Sequence, residues 1–290
     1  MTVEHLFLCE LGHRGLSQYL YAMRERIRLD TLMVERGLFQ SRTRAAAAVL
    51  AGEVSLGSDG ARASKPGMLV ARDVEVAVAD RPRFVSRGGL KLERALECFE
   101  MPVEGRSCLD VGASTGGFTD CLLRRGAERV TCIDVGYGAL DWRLREDPRV
   151  TVMERFNARN LQRAELAYAP DLIAMDLSFI SLAKVLPAVA AATAPAFDLL
   201  ALVKPQFELG RGRVGKGGVV RNADDRSEAL VAAGEAARGA GLSIQAYCSS
   251  GLPGPAGNLE SFMWCTEASR AGVEDLITAA GATELEVAAS

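Results

Sequence analysis

The sequence predicts an α/β chain: a small α+β module near the N-terminus, then a mostly parallel sheet covered by helices on both faces. Three observations carry this. From Arg106 onward, short apolar runs alternate with helical segments, the pattern of successive βαβ units. The first run leads into a glycine-rich turn, Gly112-Ala113-Ser114-Thr115-Gly116-Gly117, where a doubly wound sheet holds its ligand. Upstream, two short arginine-rich helix patterns precede strand-like pieces.

In chain order, residues 1–25 read as an N-terminal extension. They lack the basic lead and long apolar run of a signal peptide. A first module spans 26–79. Leu29, Leu32, Met33 and Leu38 recur at helical spacing, with Gly37 as the stop. Ser41 then caps an alanine-rich helix that Gly52 ends. Two strand-like pieces, "EVSL" and "VEVAV", flank a turn at Ser58-Asp59-Gly60. Residues 80–90, punctuated by Pro82, Gly88 and Gly89, read as a linker.

The second unit is expected over 91–268. Strands are predicted at "CLDVG", "VTCIDV", "VTVME", "DLIAMDLSF", "FDLLALVK", "SIQAYCSS" and "LESFMWCTE". Helices are predicted over Phe118–Arg125, Ser181–Ala192 and Asp224–Ala240, and 269–290 is left as a tail.

The chain has 290 residues, 49% of them apolar, and a net charge of −3. That suits a soluble protein of one large domain or two unequal ones. The total charge gives no pointer to nucleic acid, but its distribution does. Arg24, Arg26, Arg28, Arg36, Arg42 and Arg44 crowd the two helix starts, and Lys65 follows, which reads as a phosphate-binding surface. The seven cysteines form no CxxC pair, and only His5 and His13 could join them. No zinc site is expected, and the cysteines read as buried groups in a reducing cytosol. The longest apolar stretch, 182–203, is interrupted by Lys184, Pro187, Pro195 and Asp198, so no membrane span is predicted.

Gly112 allows a tight exit from the first strand, and Gly116 and Gly117 let a ligand approach the backbone. The turn does not match G-x-G-x-x-G. Asp134 ends the next strand, and an acid about 20 residues beyond such a loop hydrogen-bonds a ribose diol. A nicotinamide dinucleotide and S-adenosylmethionine both fit. Four polar residues stand out at predicted strand and helix ends: Lys91, Asp176, Lys204 and Glu260. Lys204 is the sharpest, because an apolar run leads to it and a proline follows. A partly buried lysine can serve as a base.

Together "SRGGLKL", "DVGASTGGFTD", "DVGYGALDWRLR", "DLSFISL", "LVKPQFE", "GRVGKGGVV" and "LPGPAGNLESF" resemble the TlyA family. Its members were first named hemolysin A and are ribosomal RNA cytidine-2′-O-methyltransferases. The resemblance runs from about Arg26 to Thr266. It implies an S4 RNA-binding domain followed by an FtsJ-like, Rossmann-like methyltransferase domain that uses S-adenosylmethionine.

The resemblance also implies a catalytic tetrad at Lys91, Asp176, Lys204 and Glu260. It places the cofactor on Gly112, Ala113, Ser114, Thr115, Gly116, Gly117 and Phe118, with Asp134 at the ribose and Asn157 near the adenine. It puts RNA on Arg26, Arg28, Arg42, Lys65, Phe179 and Arg211. The expected partner is ribosomal RNA within ribosomal subunits in the cytoplasm, and the target subunit stays open. The linker departs from the family: Pro82-Arg83-Phe84-Val85 stands where Arg-x-Trp-Val is usual.

Other readings are a non-catalytic RNA-binding protein, a membrane-active hemolysin and a pseudouridine synthase. The last rests on Arg28-Leu29-Asp30 alone, and the βα alternation opposes it.

Overall fold

The structure is a computed structural model that describes residues 26–78, 83–215 and 217–289, with side chains except at 211 and 286–289. The expected extension at 1–25, with Arg24, Cys9 and both histidines, Lys216 and the first three linker residues, 80–82, lie outside the described residues. Two compact units divide the chain at Pro82 and Arg83.

In the first unit, β1 (Arg26–Arg28) runs into α1 (Leu29–Glu35), and α2 (Arg42–Leu50) follows. Leu29, Leu32 and Met33 lie on one helical face and are buried with Ala45, Ala48 and Val49 of α2. Gly37 ends α1 at φ +72°. Ser41 caps α2, its hydroxyl accepting from the Arg44 amide. The two predicted strands are present as β2 (Val54–Leu56) and β5 (Val76–Val78), joined by β3 (Ala61–Arg62) in the order β3-β2-β5. A further strand, β4 (Leu69–Ala71), pairs antiparallel with β1.

The arginine cluster is partly tied down. Arg28 and Arg42 both reach the buried Asp30, and the Arg28 guanidinium in particular pulls that carboxyl down to about 2. Arg36 donates to the carbonyls of Arg72 and Val74.

The second unit carries the predicted sheet. Its strands are β6 (Ser107–Val111), β7 (Arg129–Ile133), β8 (Val150–Met153), β9 (Leu172–Met175), β10 (Asp198–Val203), β11 (Leu242–Ser249) and β12 (Ser261–Glu267). Their order is β11-β12-β10-β9-β6-β7-β8, and β12 runs antiparallel to both neighbours. The central strands are apolar on both faces because both faces are covered. Leu199, Ala201 and Val203 enter one core, and Leu200 and Leu202 the other.

The second of these cores is closed by α3 (Arg87–Cys98) and α4 (Gly117–Arg124). The first is closed by α6 (Leu186–Ala191), α8 (Ala223–Gly239) and α9 (Leu276–Ala289). Two short helices, α5 (Trp142–Arg145) and α7 (Pro205–Glu208), come after β7 and β10 in the chain.

Two expectations need correction. The helix expected over 181–192 is split into a 3-10 turn, Leu182–Lys184, and α6. Pro187 has no amide hydrogen and sits in the first turn of α6, where none is needed. Residues 269–290 are not a loose tail. Helix α9 buries Leu276 and Ala280 in the core, and Glu284 forms a buried ion pair with Arg226 of α8. Close packing there depends on Gly234, where a Cβ would stand 2.3 Å from the Tyr247 hydroxyl. Phe84, in the expected linker, is buried against Gly89.

Candidate active site

The parallel strands all end at one edge, and the chain sets a polar or glycine residue after each. Gly112 follows β6, Asp134 follows β7, Asp176 follows β9 and Lys204 follows β10. Glu260 joins them because β12 is antiparallel, with Ser261 opposite Val203. Strand order reverses between β6 and β9, which opens a crevice there.

Gly112 is required twice over. Its φ is +92°, and a Cβ would lie 2.2 Å from the Asp176 carbonyl oxygen. Asp134 braces the neighbouring loops, accepting from the Ser114 amide at 2.7 Å and the Gly136 amide at 2.6 Å. A cleft of about 370 Å³ lies between these strand ends, lined among others by Gly112, Ser114, Asp134, Asn157 and Asp176. Asn157 caps a 3-10 turn, its side-chain oxygen accepting from Arg159.

The other residues expected at the cofactor do not line this cleft. Ala113 is buried, and Thr115 accepts from the Asp141 amide through its carbonyl. Gly116 admits Leu140 and Leu144, and Gly117 admits Ser86 at the start of α3. Phe118 is a correction. It is buried in the core against Phe262, ring centroids 5.8 Å apart, because the rotation of α4 turns it toward the sheet.

Lys91, Asp176, Lys204 and Glu260 form two ion pairs. Lys91 Nζ lies 2.5 Å from Glu260 Oε2, with side chains 8% and 1% exposed. Lys204 Nζ lies 2.5 Å from Asp176 Oδ1, with side chains 11% and 28% exposed. Lys204 Nζ also donates to the Ser178 hydroxyl at 3.0 Å. Lys204 and Glu260 line a second cleft of about 400 Å³ with Phe179, Gln206, Phe207 and Asn258. Ser178 and Phe179 line both clefts. Phe179 is 92% exposed, at φ +65°, and its ring lies 5.4 Å from that of Phe207.

Sequence reasoning missed Ser178, Gln206, Phe207 and Asn258, although all four stand inside the quoted motifs. Asn258 is buried and ties two loops together, accepting from the Val220 amide and donating to the Gly218 carbonyl. Glu208 of α7 holds the Ser178 loop, accepting from the Ser181 hydroxyl and the Leu182 amide. Burial pushes the Glu208 carboxyl up.

Of the residues expected at RNA, Arg26, Arg28, Arg42 and Lys65 are exposed on the first unit. Arg211 opens a 3-10 turn, and its side chain lies outside the described residues. Arg213, in the same turn, is anchored to Asp225 and Glu228 of α8.

Asp110 of β6 lies fully buried beneath the glycine turn. Its Oδ2 accepts from the Thr119 amide and hydroxyl, and its Oδ1 has no hydrogen-bond partner. Burial pushes its carboxyl up to about 7, against the opposing pull of Thr119. A raised carboxyl favours the folded state fully below its unfolded value near 4, and that contribution is lost as pH rises through about 7. Asp110→Asn removes the dependence. Between pH 5 and 8 the unfolding free energy of the wild type, measured by urea titration, should fall further than that of the variant, by about 3 kcal/mol at most.

Residues 84–267 fit the model of the FtsJ-like methyltransferases. The 16S/23S rRNA (cytidine-2′-O)-methyltransferase TlyA of Mycobacterium tuberculosis is 47% identical over 262 residues, 88% of this chain and 97% of that protein. The hemolysin A of Brachyspira hyodysenteriae is 39% identical, over 68% of this chain and 81% of its own length. A solved Streptococcus thermophilus protein, named as a hemolysin, superposes with a TM-score of 0.70 at 36% identity, covering 91% of this chain and 96% of that one. With the family model spanning the second unit's sheet and the TlyA match extending through both units, this chain belongs to the TlyA branch of the FtsJ-like methyltransferases.

Proposed function

We propose that this protein transfers a methyl group from S-adenosylmethionine to the 2′-hydroxyl of a cytidine in ribosomal RNA. The observation that carries the reading is Lys204, ion-paired with Asp176, beside the seam of two clefts. On this reading residues 26–79 are an S4-like module that docks RNA, and the methyltransferase domain extends through α9.

The first cleft suits the cofactor. Its volume, about 370 Å³, is in the range of small-molecule sites. Asp134 is held in place to accept from ribose hydroxyls, Ile133, Val135 and Phe156 offer apolar walls to a purine, and Asn157 stands beside them. The positive-φ turn at Gly112 brings backbone close to the ligand. S-adenosylmethionine supplies a methyl group on a sulfonium, which leaves as a neutral thioether.

The chain's own residues do the rest. Lys204 Nζ accepts the 2′-hydroxyl proton, and Asp176 holds that nitrogen in place. Glu260, supported from behind by Lys91, orients the ribose in the second cleft. Phe179 offers its exposed ring to an unstacked base. A 2′-hydroxyl in a helix is poorly placed for in-line attack, so single-stranded or deformed RNA in a ribosomal subunit is the favoured substrate. The paired Lys204 and Asp176 favour an enzyme over a non-catalytic RNA binder. Among the described residues no helix is long and apolar enough to cross a membrane.

The test is to incubate the protein with S-adenosylmethionine and unmodified ribosomal subunits, then map 2′-O-methylcytidine in both RNAs. Absence of any new ribose methyl group overturns the reading. Gly112→Ala is expected to weaken S-adenosylmethionine binding by at least about tenfold in calorimetry, since the added Cβ forces the turn off Asp176 and costs about 1–3 kcal/mol at positive φ.

A further inference from the structure

We propose that Ser178 is a positioning residue for Lys204, fixing which direction of the lysine nitrogen faces the acceptor ribose. The inference rests on the methyl-transfer reading above. Three observations support it. The Ser178 hydroxyl accepts a hydrogen bond from Lys204 Nζ at 3.0 Å. Ser178 lines the cofactor-sized cleft and the second cleft alike, whereas Lys204 lines only the second and Asp176 only the first. The loop carrying Ser178 is itself held, because Glu208, four residues after Lys204, binds the Ser181 hydroxyl at 2.6 Å and the Leu182 amide at 3.0 Å. Both ends of the Lys204–Ser178 contact are therefore anchored to the same short helix, α7.

A lysine nitrogen has four tetrahedral directions, one taken by its own carbon. Ser178 Oγ takes a second through its hydrogen bond, and the Asp176 carboxylate lies 2.5 Å from the nitrogen as its ion-pair partner. The lone pair of the neutral amine is left to a direction that faces the acceptor oxygen. As the oxygen–methyl bond forms and the methyl–sulfur bond breaks, the 2′-hydroxyl proton passes to that lone pair. The ammonium so formed keeps donating to Ser178 beside the Asp176 carboxylate, and afterwards returns its extra proton to water. Without the hydroxyl, Nζ keeps Asp176 and swings freely about it, so the lone pair loses its aim.

The experiment compares wild type, Ser178→Ala and Ser178→Thr on unmodified ribosomal subunits. For Ser178→Ala we expect kcat to fall about 10–100-fold, the cost of a small misalignment. KM for cofactor and RNA should stay within about twofold. Ser178→Thr, which keeps the hydroxyl, should restore most of the rate. An unchanged kcat in Ser178→Ala overturns the proposal, as does a loss in which both KM values rise or which Ser178→Thr does not restore. A wild type that forms no 2′-O-methyl group overturns this proposal together with the reading on which it rests, whereas the other outcomes leave that reading standing.

Discussion

Lys204→Ala is expected to lower kcat for ribose methylation by about 10²–10⁴-fold, the range lost when a general base is removed. Affinity for S-adenosylmethionine should stay within about twofold, since Lys204 lines the second cleft and not the first. The Asp176 carboxylate loses its counter-ion, but its side chain is 28% exposed, so water can replace the ammonium and the fold should hold. Lys204→Arg separates two roles for the cation. A guanidinium keeps the charge but does not give up its proton in a protein. If Lys204 acts as a base, the arginine variant is as inactive as the alanine one. Substantial activity in Lys204→Arg would make the residue an electrostatic support and not a proton acceptor. Stopped-flow single turnovers with saturating RNA read the chemical step directly, free of product release.

Much of this site could be read from the sequence because strand ends have a strong signature. Leu199–Val203 is a continuous apolar run, which only a strand buried on both faces explains, so the lysine after it had to lie at the sheet's edge. Gly112 was legible for a similar reason: a turn at positive φ against a neighbouring strand accepts little else. What could not be read depends on rotation and on distant partners. Phe118 stands in the glycine motif, yet α4 turns it inward to Phe262. Ser178 sits between two residues that were singled out, but its importance comes from a hydrogen bond to a lysine 26 positions later. Helix α9 shows no clear apolar stripe, because small alanines and a buried Arg226–Glu284 pair make its contact with α8. Charge in a sequence ordinarily signals solvent, so that pairing was hidden.

The same ambiguity makes Lys91 the most informative residue for separating stability from chemistry. Lys91 and Glu260 are both almost wholly buried and 2.5 Å apart, and Lys91 lines neither cleft. Lys91→Met leaves Glu260 as a buried charge without its partner. It is expected to destabilise the protein by about 3–5 kcal/mol, measured by urea unfolding at pH 7. Glu260 is confined on the other side as well, since a Cβ on Gly254 would stand 2.4 Å from its Oε1, so it has little room to find a new partner. The double variant Lys91→Met, Glu260→Gln removes both charges and should recover most of that loss, because an apolar or neutral pair avoids the desolvation penalty. Activity should not follow stability. If Glu260 orients the ribose, the double variant folds well and still transfers methyl groups at least about 10²-fold more slowly. Recovery of both would reduce the pair to a structural strut and leave the proton transfer to Lys204 and Asp176. A Lys91→Met protein as stable as the wild type would show that water reaches Glu260, and the dry, fixed carboxylate on which ribose alignment depends would then be lost from the argument.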